Sequence, residues 1–166
     1  MTVLIIAASK SDVEIMKKSA AVLEKNRIVH EMRVCSAHRT PEMLDKILGE
    51  KEFDVIIAAA GLAAALPGVV AAKTTAPVIG VPLTGAFEGM DALLSIIQMP
   101  PGIPVLTTGV NNSEEAANAA VKIVKNTAKK ANITTIKNNN KKAVDKAAEA
   151  LKQFGIPYSC TDKIDS

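Results

Sequence analysis

From Val3 to Ala8 the chain carries six apolar residues without polar alternation, which predicts a strand covered on both faces rather than a half-exposed one. Ser9-Lys10-Ser11-Asp12 follows, rich in groups that cap helices, and Val13, Met16, Ala20 and Leu23 then recur at helical spacing. The same sequence of strand, tight turn and helix repeats along the chain. Ile28 to Cys35 predicts a second strand, Pro41 to about Leu48 a helix opened by its proline, and Asp54 to Ala59 a third strand. Gly61 to Gly68 predicts a small-residue loop, Val69 to Thr75 a helical turn or two, and Val78 to Val81 a fourth strand closed by Pro82. Met90 to Gln98 reads as an apolar helix ended by Pro100-Pro101-Gly102, Val105 to Val110 as a fifth strand, and Glu114 to about Lys125 as a helix.

This alternation favours an α/β fold, a three-layer Rossmann-like parallel sheet with helices on both faces. Such sheets bind ligands beyond the carboxyl ends of their strands. The turns at Ser9, Ser36, Gly61 and Pro82 all fall at strand ends, so they are expected to converge on one cleft.

Residues 126–142, rich in Lys, Asn and Thr, read as a linker after a domain over 1–125, and residues 143–166 as a helical tail. At an offset of 128, Ile5, Lys18, Ala20, Leu23 and Ile28 fall on Ile133, Lys146, Ala148, Leu151 and Ile156. The tail thus reads as a truncated internal repeat, or as a chance match between two helices rich in Ala and Lys. In that alignment Ser11 and Asp12 fall on Asn139 and Asn140, so the repeat would carry none of the chemistry.

Composition narrows the function. The 166 residues suffice for one domain with a real core, and 48% of them are hydrophobic but only 2% aromatic. A core of Ala, Val, Ile, Leu and Met leaves few rings for the stacking that single-stranded nucleic acid requires. The charge of +3, from 20 basic and 17 acidic residues, is too mild to demand a polyanionic partner. Cys35 and Cys160 have neither metal-ligand nor disulfide spacing, which fits a reducing cytoplasm. No apolar run reaches the length of a membrane helix, and the start lacks the basic residues of a secretory signal. A soluble protein, unprocessed apart from its first methionine, is expected.

The candidate chemistry centres on Ser36-Ala37-His38-Arg39-Thr40-Pro41 at the end of the second strand. Imidazole moves protons near neutral pH, and an adjacent guanidinium holds phosphate or carboxylate, so the pair reads as an active-site turn or as a solvated loop. Ser9, Ser11 and Asp12 likewise admit two readings: ordinary caps, or an anion cradle at a helix N-terminus. Gly61, Ala63 to Ala65 and Gly68 let a ligand approach the backbone closely, or let the loop pack on a helix. His30, near the start of the second strand, lies at the wrong end of the sheet and reads as structural.

Jointly these segments resemble the PurE family of purine biosynthesis, the N5-carboxyaminoimidazole ribonucleotide mutases and aminoimidazole ribonucleotide carboxylases. The resemblance is carried by Ala8 to Asp12, Ser36 to Pro41, Ala60-Gly61 with Ala63 to Gly68, Ala71 to Thr75, Pro77 to Pro82, Asp91 to Ile96 and Gln98-Met99-Pro100, in order between residue 3 and about residue 125. It implies a flavodoxin-like fold, usually assembled as a homo-octamer, acting on a phosphorylated aminoimidazole riboside. It also implies that Ser9, Asp12 and Arg39 bind the nucleotide with Ser11, Ser36 and Gly61 nearby, and that His38 carries the proton. No metal or organic cofactor is expected, and the sequence has neither metal-ligand spacing nor a dinucleotide glycine pattern.

Two positions depart from the family. Ala8 stands where glycine is usual, which asks the turn to accept a methyl group, and Ala65 stands where the mutases usually carry a second histidine in an Ala-Ala-His-Leu-Pro-Gly loop. Leu66-Pro67-Gly68 and Pro77 to Pro82 remain mutase-like, so the resemblance implies carboxylate transfer within the N5-carboxylated isomer. The alternatives are direct carboxylation of the aminoimidazole ribonucleotide by carbon dioxide, or a nucleotide-binding regulatory protein that has lost turnover.

Overall fold

In the computed structural model, residues 1–129 are described, together with Lys141, Lys146 and Glu149. Met1–Lys125 is one compact unit and Asn126–Ser166 a second. Of the expected linker over 126–142, residues 126–129 are helical and continue α5, the helix that opens at residue 113; the rest of it and the repeat-like tail lie outside the described residues, save for those three positions.

Five strands, β1 (Thr2–Ala7), β2 (Val29–Val34), β3 (Val55–Ala60), β4 (Val78–Pro82) and β5 (Leu106–Thr107), form one parallel sheet in the order β2-β1-β3-β4-β5. This is the flavodoxin-like order, whose switch point lies between β1 and β3. The helices are α1 (Val13–Lys25), α2 (Pro41–Gly49), α3 (Ala65–Ala71), α4 (Met90–Ile97) and α5, described over 113–129.

The unbroken apolar run of β1 has a direct explanation in the two cores. Val3, Ile5 and Ala7 pack on one face with Met16 and Leu23 of α1 and Ala116, Ala120 and Val124 of α5. Leu4 and Ile6 pack on the other with Leu44 of α2, Leu66 of α3 and Ile96 of α4. With helices on both faces, every β1 side chain from Val3 to Ala7 is buried, and no polar alternation is tolerated.

Gly80 marks how tightly the second face is packed. A Cβ there would lie 2.5 Å from Ile96 Cγ2, 3.1 Å from Val105 Cγ1 and 3.3 Å from Pro67 Cβ. The outer edge, β2, is instead wet: Glu31 pairs with Lys51 and Arg33, and Arg33 with Glu50. The Lys51 hydrogen bond, aided by the charges of Lys51 and Arg33, holds the Glu31 carboxyl below its ordinary value. Charges on an exposed edge also discourage pairing with another sheet.

Several boundaries differ from the pattern. The Gly61 to Gly68 segment is a loop only to Ala64. Helix α3 begins at Ala65 and contains Pro67, which it tolerates because first-turn N–H groups have no helical acceptor. Helix α3 also ends at Ala71, short of the expected Thr75. Strand β4 continues through Pro82, whose missing donor falls beyond the two-residue ladder of β5. Strand β5 stops at Thr107 instead of Val110. Beyond it Asn111 (φ 58) turns the chain, donating its N–H to the Pro82 carbonyl at 2.8 Å and clamping Thr84 with both side-chain amide atoms.

Candidate active site

The three loops leaving β1, β2 and β3 are kept level by backbone bonds at the carboxyl edge. Cys35 N–H donates to Ala7 O at 2.9 Å, Ala8 N–H to Ala59 O at 3.0 Å and Leu83 N–H to Ala60 O at 3.0 Å. Because β1 lies between β2 and β3, the first three turns must open side by side.

After β1 the chain is extended at Ser9, makes a 3-10 turn over Lys10–Asp12 and enters α1. The expected capping is absent, since neither Ser9 nor Asp12 makes a side-chain cap hydrogen bond. The two hydroxyls pair with each other instead, Ser9 Oγ and Ser11 Oγ lying 2.6 Å apart, and Ser11 Oγ donates weakly to Asp12 Oδ1 at 3.3 Å. The 3-10 turn puts Asp12, itself in the helical region, where an extended cap residue would stand. Ala8 fits without strain: its φ is not positive, and its methyl packs on the second core.

After β2 the turn from Ser36 to Thr40 closes on its own polar groups. Thr40 N–H and Thr40 Oγ1 both donate to the Ser36 carbonyl, at 3.0 and 3.2 Å, and Ser36 N–H returns a bond to Thr40 Oγ1 at 3.2 Å. The Ser36 hydroxyl accepts from Arg39 N–H at 3.2 Å, and Cys35 Sγ donates to Thr40 O at 3.5 Å. With the backbone so tied, His38 and Arg39 stand exposed. Among the described residues neither side chain has a hydrogen bond or ion pair, which leaves an imidazole and a guanidinium free for a ligand.

After β3, Gly61 to Ala64 forms a tight turn in which Ala64 N–H donates to Gly61 O at 3.0 Å, and Leu62 and Ala64 both adopt left-handed φ, 53° and 38°. Gly61 lies close to the next strand end, because a Cβ would sit 3.3 Å from the Leu83 carbonyl oxygen.

These turns enclose a cavity of about 190 Å³ lined by Ala8, Ser36, Ala37, His38, Ala60, Gly61 and residues 62–66. Of the expected site residues, Ser36, His38 and Gly61 reach its wall. Ser9, Ser11, Asp12 and Arg39 do not, but Ser9 and Arg39 each adjoin a lining residue, Ala8 and His38. His38 is the one titratable group on the wall among the described residues. Ala65 is on that wall too, as the first residue of α3.

Leu62 and Leu66 went unread as site residues, since nothing in their local pattern separates a pocket leucine from a core one. Gly68 serves packing and not a ligand: a Cβ would meet Met99 Sδ at 2.9 Å. His30 sits at the amino end of β2, where Nδ1 lies 3.1 Å from Ile28 O and Nε2 4.0 Å from Glu24, in keeping with a structural role. Among the described residues there is no group of three or more His, Cys, Asp or Glu that could hold a metal, and no helix long and apolar enough to cross a membrane.

Comparison with known proteins gives a consistent set of relatives. The sequence model of the family described as AIR carboxylase matches residues 2–143. The N5-carboxyaminoimidazole ribonucleotide mutase of Methanocaldococcus jannaschii is 52% identical over 118 residues, covering 71% of this chain and 75% of the relative. The enzyme of the same name from Pyrococcus abyssi is 52% identical over 122 residues, covering 71% and 70%. Among solved structures, a variant of Treponema denticola PurE2 superposes with a TM-score of 0.68 at 26% identity, covering 91% of this chain and 98% of that one.

Proposed function

The chain belongs to the AIR carboxylase family, and from that premise we propose that it acts in purine biosynthesis as an N5-carboxyaminoimidazole ribonucleotide mutase, moving a carboxylate from the exocyclic nitrogen to carbon four of the imidazole ring. The single observation that carries the site assignment is His38, unpartnered among the described residues and lining, with Ser36, a mostly apolar cavity at the sheet's switch point.

The chemistry balances with one proton carrier. The bond from N5 to the carboxyl carbon breaks as N5 takes up a proton, the bond from carbon four to the same carbon forms, and the proton displaced from carbon four leaves. Protonated His38 supplies the first proton and receives the second, so the net change is an isomerisation. A wall made mostly of alanine, glycine and leucine suits the stage in which the carboxyl group is neutral carbon dioxide, because water there would compete for it. Arg39, Ser9 and Ser11 take the phosphate of the ribonucleotide and Asp12 binds the nucleotide through its hydroxyl groups, with Ser36 and Gly61 at the cavity end. Arg39 and the two serines supply the donors a dianion needs, and a helix N-terminus beside them adds its dipole.

We take residues 1–125 as the catalytic unit, with the rest of the chain appended to it. We also propose a homo-octamer. Met90, Leu94 and Ile97 recur along α4 and stay 49%, 44% and 51% exposed, and Leu106 on the edge strand is 50% exposed, a set of surfaces suited to a second copy of the chain.

Ala65 favours a second reading, carboxylation of the unmodified ribonucleotide by carbon dioxide, because it leaves the wall without a second imidazole. Isotope retention separates the two. With a ¹³C-labelled N5-carboxylate in unlabelled bicarbonate, a mutase keeps the label in the product, whereas a carboxylase working on released substrate washes it out. His38→Asn should cut turnover by roughly a hundredfold or more while ribonucleotide binding stays within about tenfold, as for loss of a general acid-base group. Near-normal turnover in that variant would remove His38 from the reaction.

A further inference from the structure

The stretch from Asp91 to Gln98 is part of what marks the family, yet none of its residues reaches the cavity wall. One of them touches the wall from behind. The Ser95 hydroxyl, on α4, donates a hydrogen bond to the carbonyl of Ala63.

Ala63 sits between Leu62 and Ala64, whose φ of 53° and 38° place both of its non-glycine neighbours in the left-handed region. Side chains make that region unfavourable, and it persists only where the surroundings hold it. All residues from Gly61 to Ala64 line the cavity, so whatever holds this turn also shapes the wall. Among the described residues two bonds are available to do so: the turn's own, from Ala64 N–H to Gly61 O, and the one from Ser95. On the other side Gly85 supplies only contact, close enough that a Cβ there would meet Leu62 Cδ2 at 3.1 Å.

We propose that Ser95 is a positioning residue for the reaction: by fixing the Ala63 carbonyl it keeps the strained Gly61–Ala64 turn in the shape that closes the cavity shared with His38. The inference rests on the reaction assigned to this site. The phosphate end, built from the loops after β1 and β2, is independent of it.

The experiment compares Ser95→Ala with Ser95→Thr, which keeps a hydroxyl, by amide hydrogen exchange, steady-state kinetics and thermal unfolding. In Ser95→Ala the Ala64 amide should exchange about tenfold faster, and kcat should fall about tenfold with KM within about threefold, since small misplacements near the reacting atoms cost rate more than binding. Ser95→Thr should restore both. Unchanged protection at Ala64, or faster exchange with kcat intact, would overturn the proposal. If wild-type protein fails to turn over the N5-carboxylated substrate, the assigned reaction fails by itself. The exchange comparison, which needs no substrate, then decides whether Ser95 holds the turn.

Discussion

His38 and Arg39 are neighbours in sequence, and the turn that carries them is closed by Ser36 and Thr40 and leaves both side chains free. If Arg39 holds phosphate, Arg39→Ala should weaken ribonucleotide affinity by about 1.5 to 3 kcal/mol, the range for hydrogen bonds to a charged group. Isothermal titration at two salt concentrations checks this, and unchanged affinity would move the phosphate elsewhere. Ala65 invites the opposite experiment. It lies on the cavity wall where mutases usually carry imidazole, so Ala65→His should raise activity toward the N5-carboxylated isomer while leaving affinity nearly unchanged. A carboxylase using free carbon dioxide should gain little or lose activity when the same space is filled. Efficient wild-type turnover of the N5-carboxylated isomer, with neither reaction altered in the variant, would make the second histidine dispensable here.

At the scale of elements, the site depends on how closely α3 and α4 sit on the sheet. Gly80 of β4 permits that approach, since three side chains from both helices and the β5 edge crowd the place its Cβ would occupy. Gly80→Ala should therefore destabilise the fold by about 1 to 3 kcal/mol, the usual cost of overpacking a filled core. Denaturant unfolding measures it directly. A neutral result would mean that Ile96 can swing aside without disturbing α4. Helix boundaries tell a related story: Pro67 and Gly68 look like breakers in sequence, yet both are accommodated in α3, one in the first turn and one against the Met99 thioether.

At the scale of the whole molecule, α4 has two apolar faces. Ala92 and Ile96 are buried inward, and Met90, Leu94 and Ile97 remain outward with Leu106 nearby. A monomer would leave that stripe in water, so light scattering should report an oligomer, with eight subunits expected. Leu94→Glu, which puts charge on the stripe without touching the cavity, should dissociate it at micromolar concentration. A wild-type monomer, or an assembly indifferent to the charge, would contradict the role of this face.

The order of elements was legible in the chain because strands covered on both faces cannot carry polar residues: Val3 to Ala7 and Val55 to Ala60 are continuous apolar runs, and each is followed by a turn of small polar or glycine residues. His38 and Ser36 stand out in the sequence because few residue types move protons or bind phosphate and both follow a predicted strand end, and both line the cavity, whereas Arg39, Ser9 and Ser11, singled out on the same grounds, do not. Boundaries were less legible. The end of β5 depends on Asn111 and Thr84, 27 residues apart in sequence, and the start of α3 lies within a stretch of alanines whose local preference fits loop or helix equally. Only the tertiary structure decided that Leu62 and Leu66 wall a cavity while Gly68 serves packing. It also decided that Ser9 and Ser11 bond to each other instead of capping α1, and that the Ser95 hydroxyl donates to the carbonyl of Ala63, 32 residues away. Local sequence specifies which groups are present and the period at which they recur. Which of them meet is set by the crossovers that bring β1, β2 and β3 side by side, and that pairing is a property of the whole sheet.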